Sequence, residues 1–77
     1  MKSYEERMEE TRKYWFRCEV RRYCMEKHLF YGGSTSQWEK MLKLENLHDI
    51  AVAIWLCSDG ITLEEIEKDL KEMEENA

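Results

Sequence analysis

The sequence predicts an all-α fold, a small three- or four-helix bundle with a long N-terminal helix and a C-terminal helical hairpin. The 77 residues contain no proline and only three glycines, whereas β-sheets need frequent turns built from Gly, Pro, Asn and Asp. Apolar residues recur at helical spacing, and the segments that carry them follow serine, threonine or asparagine, the preferred N-cap residues. A chain of this length forms one domain, residues 1–77, with a thin core.

The first segment, residues 3–31, has no glycine or proline and predicts one long helix. Arg22 interrupts an apolar stripe with alternating spacings of four and three, which consists of Tyr4, Met8, Thr11, Trp15, Cys18, Met25 and Leu29. A second stripe beside it consists of Phe16, Val20, Tyr23 and Phe30. Two stripes predict one wide apolar face, or one face for the core and one for a partner. We expect part of the first stripe to face the core, namely Trp15, Cys18, Met25 and Leu29.

The length of this predicted helix matters for assembly. Residues 3–31 would span about 43 Å at 1.5 Å per residue, whereas a compact domain of this size has a diameter of roughly 30 Å. The helix therefore overhangs its own domain. Either its charged start protrudes or another chain covers it, and we expect a homodimer.

A short Gly- and Ser-rich stretch, residues 31–36, predicts the end of the first helix and the start of the second. Gly32 can adopt the left-handed conformation that closes helices. Ser36 and Glu39 have the spacing of a capping box, so the second helix should begin there. Trp38 lies in its first turn and is expected to close over the end of the bundle.

The third predicted helix follows Asn46 and Asp49, which have the spacing of an N-cap and its partner. Residues 47–58 are almost wholly apolar after Asp49. A helix that is apolar all round is a buried one. We therefore expect this helix to be central, with Trp55 in the core.

The last helix has the clearest start signal in the chain. Thr62 and Glu65 have the spacing of a capping box, and Ile61 and Ile66 that of a hydrophobic staple. The predicted helix covers residues 63–75. Its apolar face consists of Leu63, Ile66, Leu70 and Met73.

Charge is distributed unevenly along the chain, whose net charge is −5. Residues 12–28 carry six basic and two acidic side chains, whereas residues 59–77 carry eight acidic and two basic ones. The simplest interpretation is that the acidic last helix packs beside the basic first helix and neutralises it. The alternative interpretation is that one of these faces binds a partner.

Residues 49–70 resemble a helix-turn-helix, with a helix, a turn containing Gly60 and a second helix. Recognition helices of that family carry hydrogen-bond donors and positive charge toward DNA. Here the charged side chains in the first two turns of the second helix are all acidic apart from Lys68, namely Glu64, Glu65, Glu67 and Asp69. The segment therefore predicts a helical hairpin rather than a DNA reader.

A row of carboxylates on a helix can imitate a phosphate backbone and occupy the basic groove of another protein. In size and composition the chain resembles small acidic accessory proteins of phages and mobile elements, of the anti-CRISPR kind. That resemblance implies an inhibitor or adaptor acting on a nucleic-acid-handling host-defence protein, such as a nuclease, in the cytoplasm of the host cell.

Residues for partner binding come from both charged faces. Aromatic and arginine side chains are favoured at interface centres, and carboxylates provide the phosphate mimicry. The candidate residues are Tyr14, Trp15, Arg17, Arg21, Arg22, Glu64, Glu67 and Glu74. The alternative function is binding of nucleic acid or an anionic nucleotide through an outward patch of Arg17, Arg21 and Arg22.

Cysteine usage and the N-terminus indicate compartment and chemistry. The three cysteines are an odd number, and MKSYEERMEE has no apolar run of a signal peptide. We expect a cytoplasmic protein with free thiols, no membrane contact and no cofactor. Four side chains could supply the ligands of a zinc ion, Cys24, His28, His48 and Cys57, but they lack the spacing of structural sites. Because the Cys24–His28 pair has no orienting third group or oxyanion-hole motif, we do not expect an enzyme.

Overall fold

The fold is seen in a computed structural model that describes residues 2–29, 31 and 33–76. The described residues form four α-helices and no β-strand. The helices are α1 (Tyr4–Glu26), α2 (Thr35–Leu42), α3 (Leu47–Leu56) and α4 (Leu63–Glu75). The predicted all-α fold with a long first helix is confirmed. The predictions for Phe30 and Gly32 concern residues outside the described part of the chain.

Each helix begins after a polar side chain that accepts a hydrogen bond from the amide three residues later. Asn46 accepts from Asp49 over 2.9 Å and Thr62 from Glu65 over 3.2 Å, as predicted. The prediction for α2 is wrong, because Ser34 rather than Ser36 is its N-cap and accepts from the Gln37 amide. Ser34 has the extended backbone of an N-cap. The spacing of Ser34 and Gln37 fits a capping box as well as the spacing of Ser36 and Glu39 does. Ser3 caps α1 in the same way.

The first helix ends at Glu26, five residues earlier than predicted. His28 has a φ of 58°, the left-handed conformation that tolerates histidine better than most side chains. Its amide donates to the Met25 carbonyl over 3.2 Å, and the Leu29 amide donates to the Cys24 carbonyl over 2.7 Å. This pattern is a Schellman motif with histidine in the position where glycine is usual.

The core lies where α1 packs against α2 and α4, and α3 and α4 make the most extensive contact in the fold. The buried apolar side chains are Phe16, Val20, Tyr23, Cys24, Tyr31, Met41, Ile50, Ala51, Ile54, Ile66 and Leu70. On α4 the predicted face is confirmed, since Ile66 and Leu70 are fully buried. Leu63 and Met73 pack at its edges. Each fully buried side chain of this size contributes about 1.5–3 kcal/mol.

The face that α1 turns to the core differs from the prediction. Trp15 and Met25 are each 62% exposed, and Cys18 is only half-buried. Leu29, beyond the end of the helix, is half-buried and packs against the core as predicted. The helix instead buries Phe16, Arg17, Val20, Tyr23 and Cys24. Arg17 can be buried on this face because main-chain carbonyls accept hydrogen bonds from its guanidinium, as described below. The members of the first stripe that lie within α1 are thus left outside the core.

The third helix is also less buried than predicted. Trp55 is 42% exposed and Leu56 is 71% exposed, so the prediction that Trp55 lies in the core is wrong. Ile50, Ala51 and Ile54 form the single face of α3 that is fully buried. A chain of this length cannot cover every side of an apolar helix, and its surface keeps apolar atoms.

The first half of α1 has no buried side chain. All residues from Lys2 to Trp15 are exposed, and the first buried side chain is Phe16. The 23-residue helix is about 35 Å long, and the molecule measures 44 × 26 × 19 Å. The helix is thus shorter than expected, and its first half stays exposed. Within the described part of the chain, none of the helices has the length and apolarity needed to cross a membrane.

Candidate functional site

An open groove with a volume of about 680 Å³ runs between α1 and α4. One wall comes from α1 and the residue that follows it, and the other comes from α4. The lining side chains are Met8, Thr11, Arg12, Trp15, Phe16, Glu19, Tyr23, Lys27, Asp69, Glu72, Met73 and Asn76. Apolar and charged side chains therefore meet in one concave surface, which is the usual composition of a binding site.

The apolar part of the groove comes from large, flexible or aromatic side chains. Phe16 forms its buried base at 8% exposure, whereas Met8 and Trp15 remain 40% and 62% exposed at its edge. Met73 contributes from α4 and is half-buried. Exposed tryptophan and methionine in a concave site are typical of surfaces that bind another protein, because both bury large areas on contact.

The charged part of the groove has opposite signs on its two sides. Arg12 and Lys27 line it from the α1 side, and Asp69 and Glu72 line it from α4. Glu19 adds a carboxylate on α1. The acidic last helix therefore lies beside the basic first helix, as the simplest interpretation of the charge pattern predicted. The groove keeps these charged groups around an apolar centre, where an incoming side chain can pair with them.

A hydrogen bond between Tyr23 and Asp69 fixes the crossing of α1 and α4 beneath the groove. The Tyr23 hydroxyl donates to Oδ2 of Asp69 over 2.7 Å. Burial raises the pKa of Tyr23 well above its ordinary value, and the bond to the Asp69 carboxylate raises it further. The phenol therefore remains a donor at neutral pH, and the two groove walls keep a fixed spacing.

The predicted outward position of Arg17 is wrong. Its side chain is 7% exposed. The guanidinium donates to the main-chain carbonyls of Met41 over 3.3 Å, of Lys13 over 3.2 Å, and of Leu44. Met41 lies in the last turn of α2 and Leu44 follows that helix. Arg17 therefore holds α2 against α1 and has no surface left for a ligand.

The other predicted residues of α1 lie on different sides of the helix. Arg21 stacks over the Trp38 ring at 5.2 Å from its centroid. Tyr14 meets the same ring edge-on at 6.4 Å and also contacts Trp15 at 5.8 Å. Arg22 is exposed. The predicted arginine patch is thus divided among the core, a cation–π contact and the open surface.

The acidic candidates of α4 lie outside the groove. Glu64 and Glu74 are exposed, whereas Glu67 is half-buried and its carboxylate lies 2.6 Å from Nδ1 of His48. Among the eight predicted residues, Trp15 is the one that lines the groove. The prediction missed Asp69 and Glu72, although their spacing of three places both on one side of α4.

The thiols and imidazoles of the described residues do not gather into a metal-binding group of three or more. Cys24 is buried, Cys18 is half-buried and Cys57 is exposed, all as free thiols. Burial raises the pKa of Cys24 to about 12. His28 lies beyond the end of α1, and His48 faces Glu67.

Comparison with protein families, with curated proteins and with solved structures gives no significant match. The groove and its surroundings are therefore interpreted from their own geometry and chemistry.

Proposed function

We propose that this chain is a small protein-binding module, an inhibitor or adaptor that occupies the surface of a nucleic-acid-handling protein. The observation that carries the proposal is Trp15, 62% exposed at the edge of a groove whose opposite wall is acidic. A tryptophan in this position can anchor a partner, since interface energy concentrates in such residues.

The shape of the groove favours a helical segment as the bound element. Amphipathic helices bind by laying an apolar face into a groove between other helices. Met8, Phe16 and Met73 provide the apolar surface for such a face. The Tyr23–Asp69 bond keeps the walls apart before binding, which lowers the ordering cost of association.

The charge of α4 favours a basic partner. Asp69 and Glu72 line the groove, and residues 59–77 carry eight acidic against two basic side chains. Nucleic-acid-handling proteins present basic surfaces to phosphates, and a carboxylate row can occupy them. Such electrostatic association is fast and weakens with salt.

We propose binding without catalysis. The Cys24 thiol, the buried nucleophile candidate, has a pKa raised to about 12 by burial, whereas a nucleophilic cysteine needs a lowered pKa. Its proposed role is to fill the core as a small apolar group.

The test is affinity capture from nuclease-treated lysate with two charge-reversal variants on α4. Glu72→Lys changes the groove wall, whereas Glu74→Lys makes the same charge change about 200° around the helix. We expect the wild type and Glu74→Lys to retain one protein in stoichiometric amount. We expect Glu72→Lys to weaken its retention at least tenfold.

Equal loss of retention in both variants would show that the effect comes from net charge alone, and it would contradict the groove as the binding site. Loss of all bound material on nuclease treatment of the wild-type sample would contradict a protein partner and favour the nucleic-acid alternative. Both variants concern exposed side chains, so circular dichroism should confirm that each retains its helix content.

A further inference from the structure

The α1 side of the groove is basic at its two ends and acidic between them. Arg12, Glu19 and Lys27 line it in that order, at spacings of seven and eight residues. At 1.5 Å per residue these spacings are about 10 and 12 Å along the helix axis. Asp69 of α4 adds to the acidic middle, because Tyr23, to which it bonds, lies between Glu19 and Lys27. The groove therefore carries an ordered pattern of charge.

The three charged side chains on the α1 side have no ion-pair partner within the protein. In the part of the chain that the structure describes, the ion pairs lie elsewhere, near the start of α1 and between α3 and α4. Arg12, Glu19 and Lys27 take part in none of them. All three side chains are exposed. They are therefore available to charged groups of a bound segment.

One carboxylate of the acidic middle is fixed before anything binds. Asp69 is half-buried, and its Oδ2 accepts from the Tyr23 hydroxyl over 2.7 Å. Among the described residues, no donor bonds to its second oxygen, Oδ1. Glu19 lies one helical turn before Tyr23, on the same side of α1. Each wall of the groove therefore provides one carboxylate close to Tyr23.

Aromatic side chains lie beside these carboxylates. Trp15 lies one turn before Glu19 and is 62% exposed, and Phe16 forms the buried base of the groove. A cation is attracted to the face of an aromatic ring, most strongly to that of tryptophan. Arginine fits this combination better than lysine does, because its planar guanidinium stacks on a ring and donates to carboxylates through several N–H groups.

We infer that the groove selects a partner helix with one arginine at its centre and an acidic side chain about two turns away on each side. The arginine stacks on Trp15 and pairs with Glu19 and Asp69, and the acidic side chains pair with Arg12 and Lys27. A polybasic helix is disfavoured, since its outer charges would meet those two cations. The inference rests on the proposed function and specifies the segment that the partner presents. The exposed carboxylates of α4 outside the groove remain available to the wider basic surface of that partner.

Fluorescence anisotropy with synthetic peptides tests the arginine site. The probe is a fluorescein-labelled amphipathic helical peptide with leucines on one face, a central arginine and a glutamate two turns to each side. A matched peptide has citrulline, the neutral isostere, in place of the arginine. We expect saturable binding of the arginine peptide and at least about fivefold weaker binding of the citrulline peptide. Lysines in place of the two glutamates should also weaken binding.

Two variants of the protein locate the site. Glu19→Gln should weaken binding of the arginine peptide at least about fivefold and leave binding of the citrulline peptide unchanged. Glu64→Gln removes an exposed carboxylate outside the groove and should change neither. Equal loss in both variants would contradict the assigned position.

Equal affinity for the arginine and citrulline peptides, or no binding of either, would overturn the inference. The proposed function is read separately. If the peptides fail while the wild type still captures a protein that Glu72→Lys releases, the arginine site is wrong and the proposed function stands.

Discussion

The guanidinium of Arg17, on the first helix, donates a hydrogen bond to the main-chain carbonyl of Met41 at the end of the second helix. The donor to acceptor distance is 3.3 Å, and the same guanidinium also reaches the carbonyl of Leu44. The Met41 carbonyl also accepts from the Leu44 amide over 3.1 Å, so Arg17 adds to the hydrogen bonds that close the end of α2. A charged side chain is therefore buried as a structural link between α1 and α2, and the ligand-binding role must lie elsewhere.

Replacing Arg17 should be among the most destabilising single changes in the chain. Arg17→Met keeps the aliphatic volume and removes the donors, so the carbonyls of Met41 and Leu44 lose their charged partner. We expect the free energy of unfolding to fall by about 2–3 kcal/mol. Arg22→Met, at an exposed position of the same helix, should change it by less than about 0.5 kcal/mol. Urea denaturation measures both values, and similar values for the two variants would contradict the link.

The corrected start of α2 predicts unequal effects for two nearby serines. Ser34→Ala removes the side chain that accepts from the Gln37 amide and should cost about 1 kcal/mol. Ser36 lies inside the helix and is exposed, so Ser36→Ala should be neutral or slightly stabilising, since alanine is the better helix former. Thermal unfolding of both variants measures the two changes in stability. A larger loss for Ser36→Ala would restore the start predicted from the sequence.

Glycine at position 28 should stabilise the fold. His28 has a left-handed backbone with a φ of 58° in the Schellman motif that ends α1. This conformation is strained for a residue that carries a Cβ. His28→Gly removes that strain, and we expect a gain of up to about 1 kcal/mol in the free energy of unfolding. His28→Ala keeps a Cβ and should bring no such gain. If the two variants are equally stable, the left-handed conformation is not the source of strain.

Alkaline pH should weaken the fold through buried acids whose pKa values are raised, among which are Cys24 and Tyr23. Burial raises the pKa of Cys24 from 9.0 to about 12, and burial with the Asp69 bond raises the pKa of Tyr23 above its ordinary value of 10.0. Both groups bind protons more tightly when folded. Their contribution is therefore fully present below about pH 9 and is lost as pH rises through the region where the unfolded chain has released these protons.

Two variants separate these contributions in urea denaturation between pH 8 and pH 11. Cys24→Ala should flatten the decline that starts near pH 9, and Tyr23→Phe should flatten the decline above pH 10, each at some cost in stability at neutral pH. Tyr4→Phe is the control, because that side chain is 77% exposed. A decline that is unchanged in both core variants would show that other groups cause it.

Local signals in the sequence were sufficient for most of the fold. The N-caps Asn46 and Thr62 and the buried face of α4 are encoded in a few neighbouring residues, and all were predicted. The end of α1 was missed because it depends on His28 adopting a conformation that is more usual for glycine. Which stripe of α1 enters the core could not be read from hydrophobicity, since the buried one contains Arg17.

The candidate site was less predictable than the fold, because a groove depends on which helices meet. Trp15 was predicted as an interface residue and lines the groove. Asp69 and Glu72 were seen only as part of an acidic helix, and their position opposite Trp15 follows from the crossing of α1 and α4. The arginine patch was predicted from spacing alone. Spacing does not show that the Met41 carbonyl accepts from Arg17 or that Arg21 stacks on Trp38.

Site-specific photo-crosslinking tests most directly whether the Trp15 groove binds a partner protein. Benzoylphenylalanine replaces Trp15 in one sample and Trp55 in another, since both tryptophans are exposed but Trp55 lies on α3, outside the groove. After irradiation in nuclease-treated lysate, we expect the position 15 probe to form a covalent adduct with one other protein and the position 55 probe to form none. Adducts from position 55 alone, or a position 15 probe that captures nothing but a second copy of the chain, would contradict the proposed function.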